Sequence, residues 1–276
     1  MRVLYWSPGS PRGAIDEALR ALDRSYRENP LERPAMAGLI HRVGRDREGN
    51  ELYATGFGGD SSRICLRASH GILRAFPCVT DVRLMACGSG KIDEERARLD
   101  GAMEFAGCDG AGRDLNVFYH CYGSAHSSVV AASIHVGHLP PSRVPSLGEV
   151  CSLPWFDRVT HDQIGFPYFI GENPPGVGVF ILGLGSSRSS ARRFVENFVE
   201  LCGLSSRILL VDCLPLAGLV VRIGGFMSRR MGAVTAGRLI AAAGIRRRYW
   251  EFVSLACRAR LKVMCGSAIR AGRGPG

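Results

Sequence analysis

Two short stretches concentrate the side chains that could do chemistry. The first is Tyr119-His120-Cys121-Tyr122-Gly123-Ser124-Ala125-His126-Ser127-Ser128, and the second is Gly183-Leu184-Gly185-Ser186-Ser187-Arg188. Each follows an apolar run that reads as a buried strand, and each leads into a helical pattern. Unpaired backbone N–H groups at a helix start, with hydroxyls, an imidazole and a guanidinium, are what a phosphate or carboxylate needs. Gly123, Ser124, His126, Ser127 and Ser128, together with Gly183, Gly185, Ser186, Ser187 and Arg188, are therefore the candidate anion-binding residues. Helix capping and close strand–helix packing would account for the same serines and glycines without a ligand.

Several named chemistries fail on spacing. Gly-x-x-x-x-Gly-Lys-Ser/Thr is absent, and neither Lys91 nor Lys262, the chain's two lysines, lies in such a loop. A kinase or NTPase of the usual mechanism is therefore not expected. Gly183-Leu184-Gly185 begins like a dinucleotide fingerprint, but Arg188 stands where the third glycine belongs. Cys121 and His126 are the candidate catalytic groups: a thiol at a strand end before a small-residue loop suits a cysteine-dependent phosphoester hydrolase. The arginine such an enzyme needs six residues on is Ser127 here. His120, His126, His135 and His138 crowd one region, yet no pair has the spacing of a helical metal site, so no metal ligands are assigned. The residues name no cofactor.

The elements that must position these groups occur twice. Val3-Leu4-Tyr5-Trp6-Ser7-Pro8-Gly9-Ser10 aligns with Val117 to Ser124, and farther on Gly38, Gly44, Gly49, Gly56 and Gly58 fall on Gly165, Gly171, Gly176, Gly183 and Gly185. Glycines kept in register mark backbone positions with φ > 0 or close approach. The change of offset is an insertion in the second copy, around Pro140 to Asp162. Each copy reads as a strand (3–7; 117–121), a glycine loop and a helix (13–27; 127–138). A hairpin (39–43 and 51–56; 167–170 and 178–183), a second helix (63–75; 189–202) and a closing strand follow. The expected fold is α/β: two tandem copies of a mostly parallel, three-layer module with glycine loops at strand C-termini. The expected domains are residues 1–92, a linker at 93–114, a second module at 115–218 and a basic helical tail at 219–276. In that tail Gly224-Gly225 reads as a break before helices near 227–243 and 246–263. The first copy has Trp6, Ser7, Arg12, Gly13 and Ala14 where the second has His120, Cys121, His126, Ser127 and Ser128. It keeps the glycines and loses the polar groups.

Composition sets the remaining bounds. Hydrophobic residues make up 46%, as in a globular protein, and no long uncharged apolar run predicts a membrane span. The N-terminus enters a strand directly, without a signal-peptide pattern, and the ten cysteines include no C-x-x-C pair. Reduced thiols and a cytoplasmic location are expected. From Leu219 onward twelve Lys or Arg face one acid, Glu251, so the net charge of +10 lies entirely in the last fifth of the chain. Such a tail attracts nucleic acid or an anionic membrane, or is simply a solvated face.

The loop Tyr119 to Ser128, with Leu139-Pro140, Leu182 to Ser187 and Arg222-Ile223-Gly224-Gly225-Phe226-Met227-Ser228-Arg229-Arg230, resembles an uncharacterised bacterial family, domain of unknown function 3189. The resemblance covers about residues 115–262. It implies boundaries and motif positions and no reaction, and it puts weight on the glycine and His-Ser positions ahead of the cysteine. The function expected is binding of a phosphorylated or nucleotide-like small anion at the two glycine loops. The alternatives are an interaction protein that docks through residues 219–276, and the hydrolase.

Overall fold

A computed structural model describes residues 1–7, 37–57, 61–86, 115–230 and 233–271, with residues 14, 16 and 18. The linker expected at 93–114, most of the helix expected at 13–27, and Arg12 and Gly13 lie outside the described residues. The chain divides by contacts into two compact units, one of 1–111 with 184–204 and one of 112–183 with 205–276.

The first unit holds a four-stranded sheet of order β2-β3-β1-β4. Its strands are β1 (Arg2–Ser7), β2 (His41–Arg45), β3 (Glu51–Gly56) and β4 (Val82–Ala86). β1 runs parallel to β3 and β4, while β2 closes an antiparallel hairpin with β3. Helix α1 (Ser61–Ala75) follows β3. The second sheet, order β6-β7-β5-β8, is in the second unit. It comprises β5 (Leu115–Cys121), β6 (Tyr168–Glu172), β7 (Val177–Gly183) and β8 (Ile208–Asp212). β5 is parallel to β7 and β8, and β6 is antiparallel to β7. Order and strand sense are those of the first sheet.

The repeat extends to backbone detail. Both hairpins carry a register shift at the same aligned place, between Arg42 and Gly44 and between Phe169 and Gly171. Gly49 and Gly176, which turn the two hairpins, each have φ of 79°, a conformation that costs a glycine nothing and an L side chain about 1 kcal/mol or more. β5 and β7 are buried at every position, as expected of parallel strands covered on both faces. Phe118 and Phe180 stack across them at 4.9 Å.

Seven α-helices are assigned among the described residues. Those of the second unit are α2 (Ser127–Val136), α3 (Leu147–Ser152), α5 (Leu219–Arg230), α6 (Val234–Arg247) and α7 (Tyr249–Ala271). Helix α4 (Arg188–Leu201) follows β7 in sequence and belongs to the first unit, where Phe194 meets Phe57 edge-on at 5.1 Å. Residues 127–135 of α2 are all buried, which explains why that helix is apolar around its whole circumference. It packs on β5, β6, β7 and α7. No described helix is long and apolar enough to cross a membrane.

The tail corrects one expectation. Gly224-Gly225 does not break the chain before a helix; it lies in the middle of α5, and three helices replace the two expected. The reason is packing. A Cβ at Gly224 would come within 2.5 Å of Ala241 N and 2.6 Å of Gly237 O on α6. Glycine here lets two helix backbones approach, a use that outweighs its low helix propensity.

Candidate functional site

The site begins where β5 ends. Cys121 is the last residue of the strand, Tyr122 is exposed, and the chain then turns through Gly123, Ser124 and Ala125 into α2. Gly183, at the end of the neighbouring parallel strand β7, lies against Gly123. A Cβ on Gly183 would come 3.2 Å from both the Cα and the carbonyl carbon of Gly123. Ser124 takes φ of +51°, unusual for a residue with a side chain. Its hydroxyl is buried and finds no hydrogen-bond partner among the described residues. An unpartnered buried hydroxyl costs roughly 1–3 kcal/mol, so natural proteins rarely leave one without a use.

His126 is the N-cap residue of α2, and its side chain makes no capping bond. The first turn therefore keeps N–H groups that its cap does not satisfy. The ring instead turns toward Asp157. His126 Nε2 lies 3.1 Å from Asp157 Oδ1, and Ser228 Oγ donates to Asp157 Oδ2 at 2.5 Å. Arg238 Nε is 3.8 Å from the same Oδ2. The Asp157 side chain is wholly buried, whereas 13% of the His126 side chain is exposed. Asp157 also donates its backbone N–H to Ala125 O at 2.9 Å and adopts φ of +57°. With a carboxylate on Nε2, that nitrogen carries the proton, and Nδ1 is left without a hydrogen bond among the described residues. Helix α5 gives the ring room at this edge, since a Cβ at Gly225 would come 2.9 Å from Cε1 and 3.4 Å from Nδ1.

The other expected site residues divide. Ser127 and Ser128 are buried at the start of α2, and Ser128 Oγ lies 3.1 Å from Cys121 Sγ. Cys121 is 4% exposed. Such a thiol has the setting of a structural cysteine, for a reactive one needs access and positive charge. His120, also buried, faces Asp212 with Nδ1 3.8 Å from Oδ1. Gly185, Ser186, Ser187 and Arg188 lie in the first unit. There Gly185 has φ of +67° and a Cβ on it would collide with Ile64. Ser186 and Ser187 are exposed, and Arg188 opens α4.

His135 lies in the last turn of α2, fully buried, and burial lowers its pKa from 6.5 to about 4. The ring is neutral at physiological pH. Its Nε2 lies 2.9 Å from Asn173 O and its Nδ1 2.6 Å from the Tyr119 hydroxyl. Nε2–H must donate to the carbonyl, so Nδ1 accepts from Tyr119. Among the described residues no three His, Cys, Asp or Glu are grouped to hold a metal.

Asp157, Gly225, Ser228 and Arg238 were not named from sequence as site residues. Gly225 and Ser228 lay within a motif already noted, three residues apart on what proves to be one helix face. Asp157 lies in the insertion that the first copy lacks, 31 residues from His126. No spacing rule connects them. Neither curated proteins nor solved structures give a match to the chain. A family model does match, over residues 116–260, a span that takes in the loop, the insertion with Asp157, and the helices bearing Ser228 and Arg238. The chain belongs to that family, described as protein of unknown function (DUF3189).

Proposed function

We propose that the second unit is a cytosolic binding module for a small phosphorylated or nucleotide-like anion, held by the loop 123–128 at the N-terminus of α2. The observation that carries this reading is Ser124, whose hydroxyl is buried without a partner in the loop that opens α2. Beside it, the α2 N-cap side chain caps nothing. An anion at that point would accept from the Ser124 hydroxyl and the first N–H groups of the helix, and it would be favoured by the dipole. His126 is the side chain that meets it, donating from Nδ1 as the imidazolium formed when the anion binds, while Asp157 accepts from the opposite nitrogen and fixes the ring. Asp157 and Ser228 are positioning residues in this scheme. Cys121 has no part in it, because its thiol is buried against Ser128.

The test is a thermal-shift screen of the full chain against nucleotides, sugar phosphates and inorganic phosphate. A rise in Tm with at least one of these is expected. His126→Ala and Ser124→Ala should each weaken that ligand by about tenfold, the usual loss of one charge-assisted or buried hydrogen bond. A panel that leaves Tm unchanged defeats the proposal. Arg188→Ala asks separately whether the loop at Gly183 to Arg188 contributes.

A further inference from the structure

Helix α5 presents two contrasting faces. Val221, Gly224 and Ser228 are buried, and Gly225 adjoins His126. On the outer side Leu219, Ile223 and Phe226 are 73%, 46% and 59% exposed. Their spacing of four and then three residues places them in one stripe along the helix. Exposed Leu or Val residues scattered singly need no explanation, but three large apolar side chains aligned on one helix mark a surface that is covered in use. Arg222, also exposed, flanks the stripe, and Arg229 and Arg230 end the helix. Val234 and Leu239 on α6 are exposed as well.

From this we infer that α5 lies in the plane of an anionic membrane surface, inserting Leu219, Ile223 and Phe226 among the lipids while the surrounding arginines meet the headgroups. Charge selects this occupant. Residues 219–276 carry twelve Lys or Arg and one acid. That acid, Glu251, is already engaged by Arg248. A second copy of the chain seated on the same face would bring Arg222 toward its own symmetry mate, a like-charge contact with no acidic residue on α5 to offset it. Nucleic acid would answer the arginines through its phosphates, yet it would leave a stripe of leucine, isoleucine and phenylalanine in water. An anionic bilayer takes both: apolar side chains enter the acyl boundary, and basic residues are drawn to the charged surface. Arg246 is engaged by Pro145 O and Arg248 by Glu251, whereas exposed Arg222 and Arg258 each spend one N–H nearby, on Ala217 O and Ser254 Oγ, so their other guanidinium N–H groups and exposed Arg247 are left to meet headgroups. This inference is independent of the anion-binding reading, which concerns the opposite face of α5.

The experiment is vesicle co-sedimentation of the full chain, with phosphatidylcholine alone and with about 30 mol % phosphatidylglycerol. Binding is expected only to the anionic vesicles, and it should fall in about 0.5 M salt. The triple variant L219S/I223S/F226S should bind roughly tenfold more weakly or worse with the fold retained, since Leu219 and Phe226 are mostly exposed and Ile223 about half. R222E should also weaken binding. The inference is overturned if anionic vesicles are not bound, or if the triple variant binds as well as the parent chain. It is equally overturned if the triple variant abolishes a dimer seen by sedimentation while vesicles stay unbound, or if the chain is retained on DNA and not on vesicles.

Discussion

Asp157 holds three polar groups at once and takes a left-handed backbone to do so. Removing it would strand Ser228 and leave Arg238 half-buried without its carboxylate. Asp157→Ala should therefore cost about 3–5 kcal/mol in urea denaturation, the range for breaking a buried charge pair, with added strain because alanine disfavours positive φ. Asp157→Asn tolerates that backbone and keeps an acceptor oxygen. It should cost less, about 1–3 kcal/mol, while losing the charge that orients His126. An Asp157→Asn variant as stable as the parent chain would refute the carboxylate charge's role. His126 itself was legible in the sequence, because a histidine between a strand-end glycine and an alanine-rich helix has few places to go. Asp157 was not, since a lone aspartate in an insertion becomes meaningful only when folding brings it to the ring. Ser128, read as a ligand group, proved to touch Cys121, a pairing that strand and helix register decide and composition does not.

Helix α5 joins the site to the tail through two adjacent glycines with different duties. Gly224 abuts backbone atoms of α6 and Gly225 abuts a side chain, the His126 ring. In an exposed helix either Gly→Ala change would stabilise by about 1 kcal/mol. At Gly224 the new methyl meets main chain at 2.5 Å, which cannot move without parting the helices. Gly224→Ala should thus destabilise by about 2–4 kcal/mol in denaturant titrations. At Gly225 the ring can shift aside, so Gly225→Ala should lower Tm less than Gly224→Ala does and weaken the ligand by about tenfold, as loss of the His126 contact would. If both variants lower Tm alike, the two glycines do not have separate roles. The strands and second helices were readable to within two residues, because parallel strands buried on both faces leave an unbroken apolar run. The tail was misread for a physical reason: a glycine pair looks like a break unless the partner helix is known.

Glycines in register pointed to a duplication, and the two sheets are alike in strand order, strand sense and hairpin bulge. What no repeat could show is how the second copy departs from the first. One departure is a buried network that ties three of its elements together. Tyr119 on β5, His135 at the end of α2 and Asn173 in the β6–β7 turn are linked, and Asn173 Nδ2 returns a hydrogen bond to His135 O at 2.9 Å. The first copy carries Tyr5 at the position of Tyr119. The network makes the stability of the molecule depend on pH with a definite sign. Burial holds the His135 pKa at about 4 against an unfolded value of 6.5. The unfolded chain therefore takes up a proton below about 6.5, whereas the folded chain does not until about 4. Unfolding is thus favoured by acid across that interval, and the contribution of the neutral ring is complete above it. By linkage the loss from pH 7 to pH 4 should reach roughly 3 kcal/mol from this residue alone. Denaturant midpoints measured across that range should fall with acid in the parent chain. In His135→Gln, which starts from lower stability but has no proton to gain, the slope should be shallower. A parallel slope in both proteins would place the acid sensitivity elsewhere, and the Tyr119–His135–Asn173 network would then be a packing feature without influence on pH.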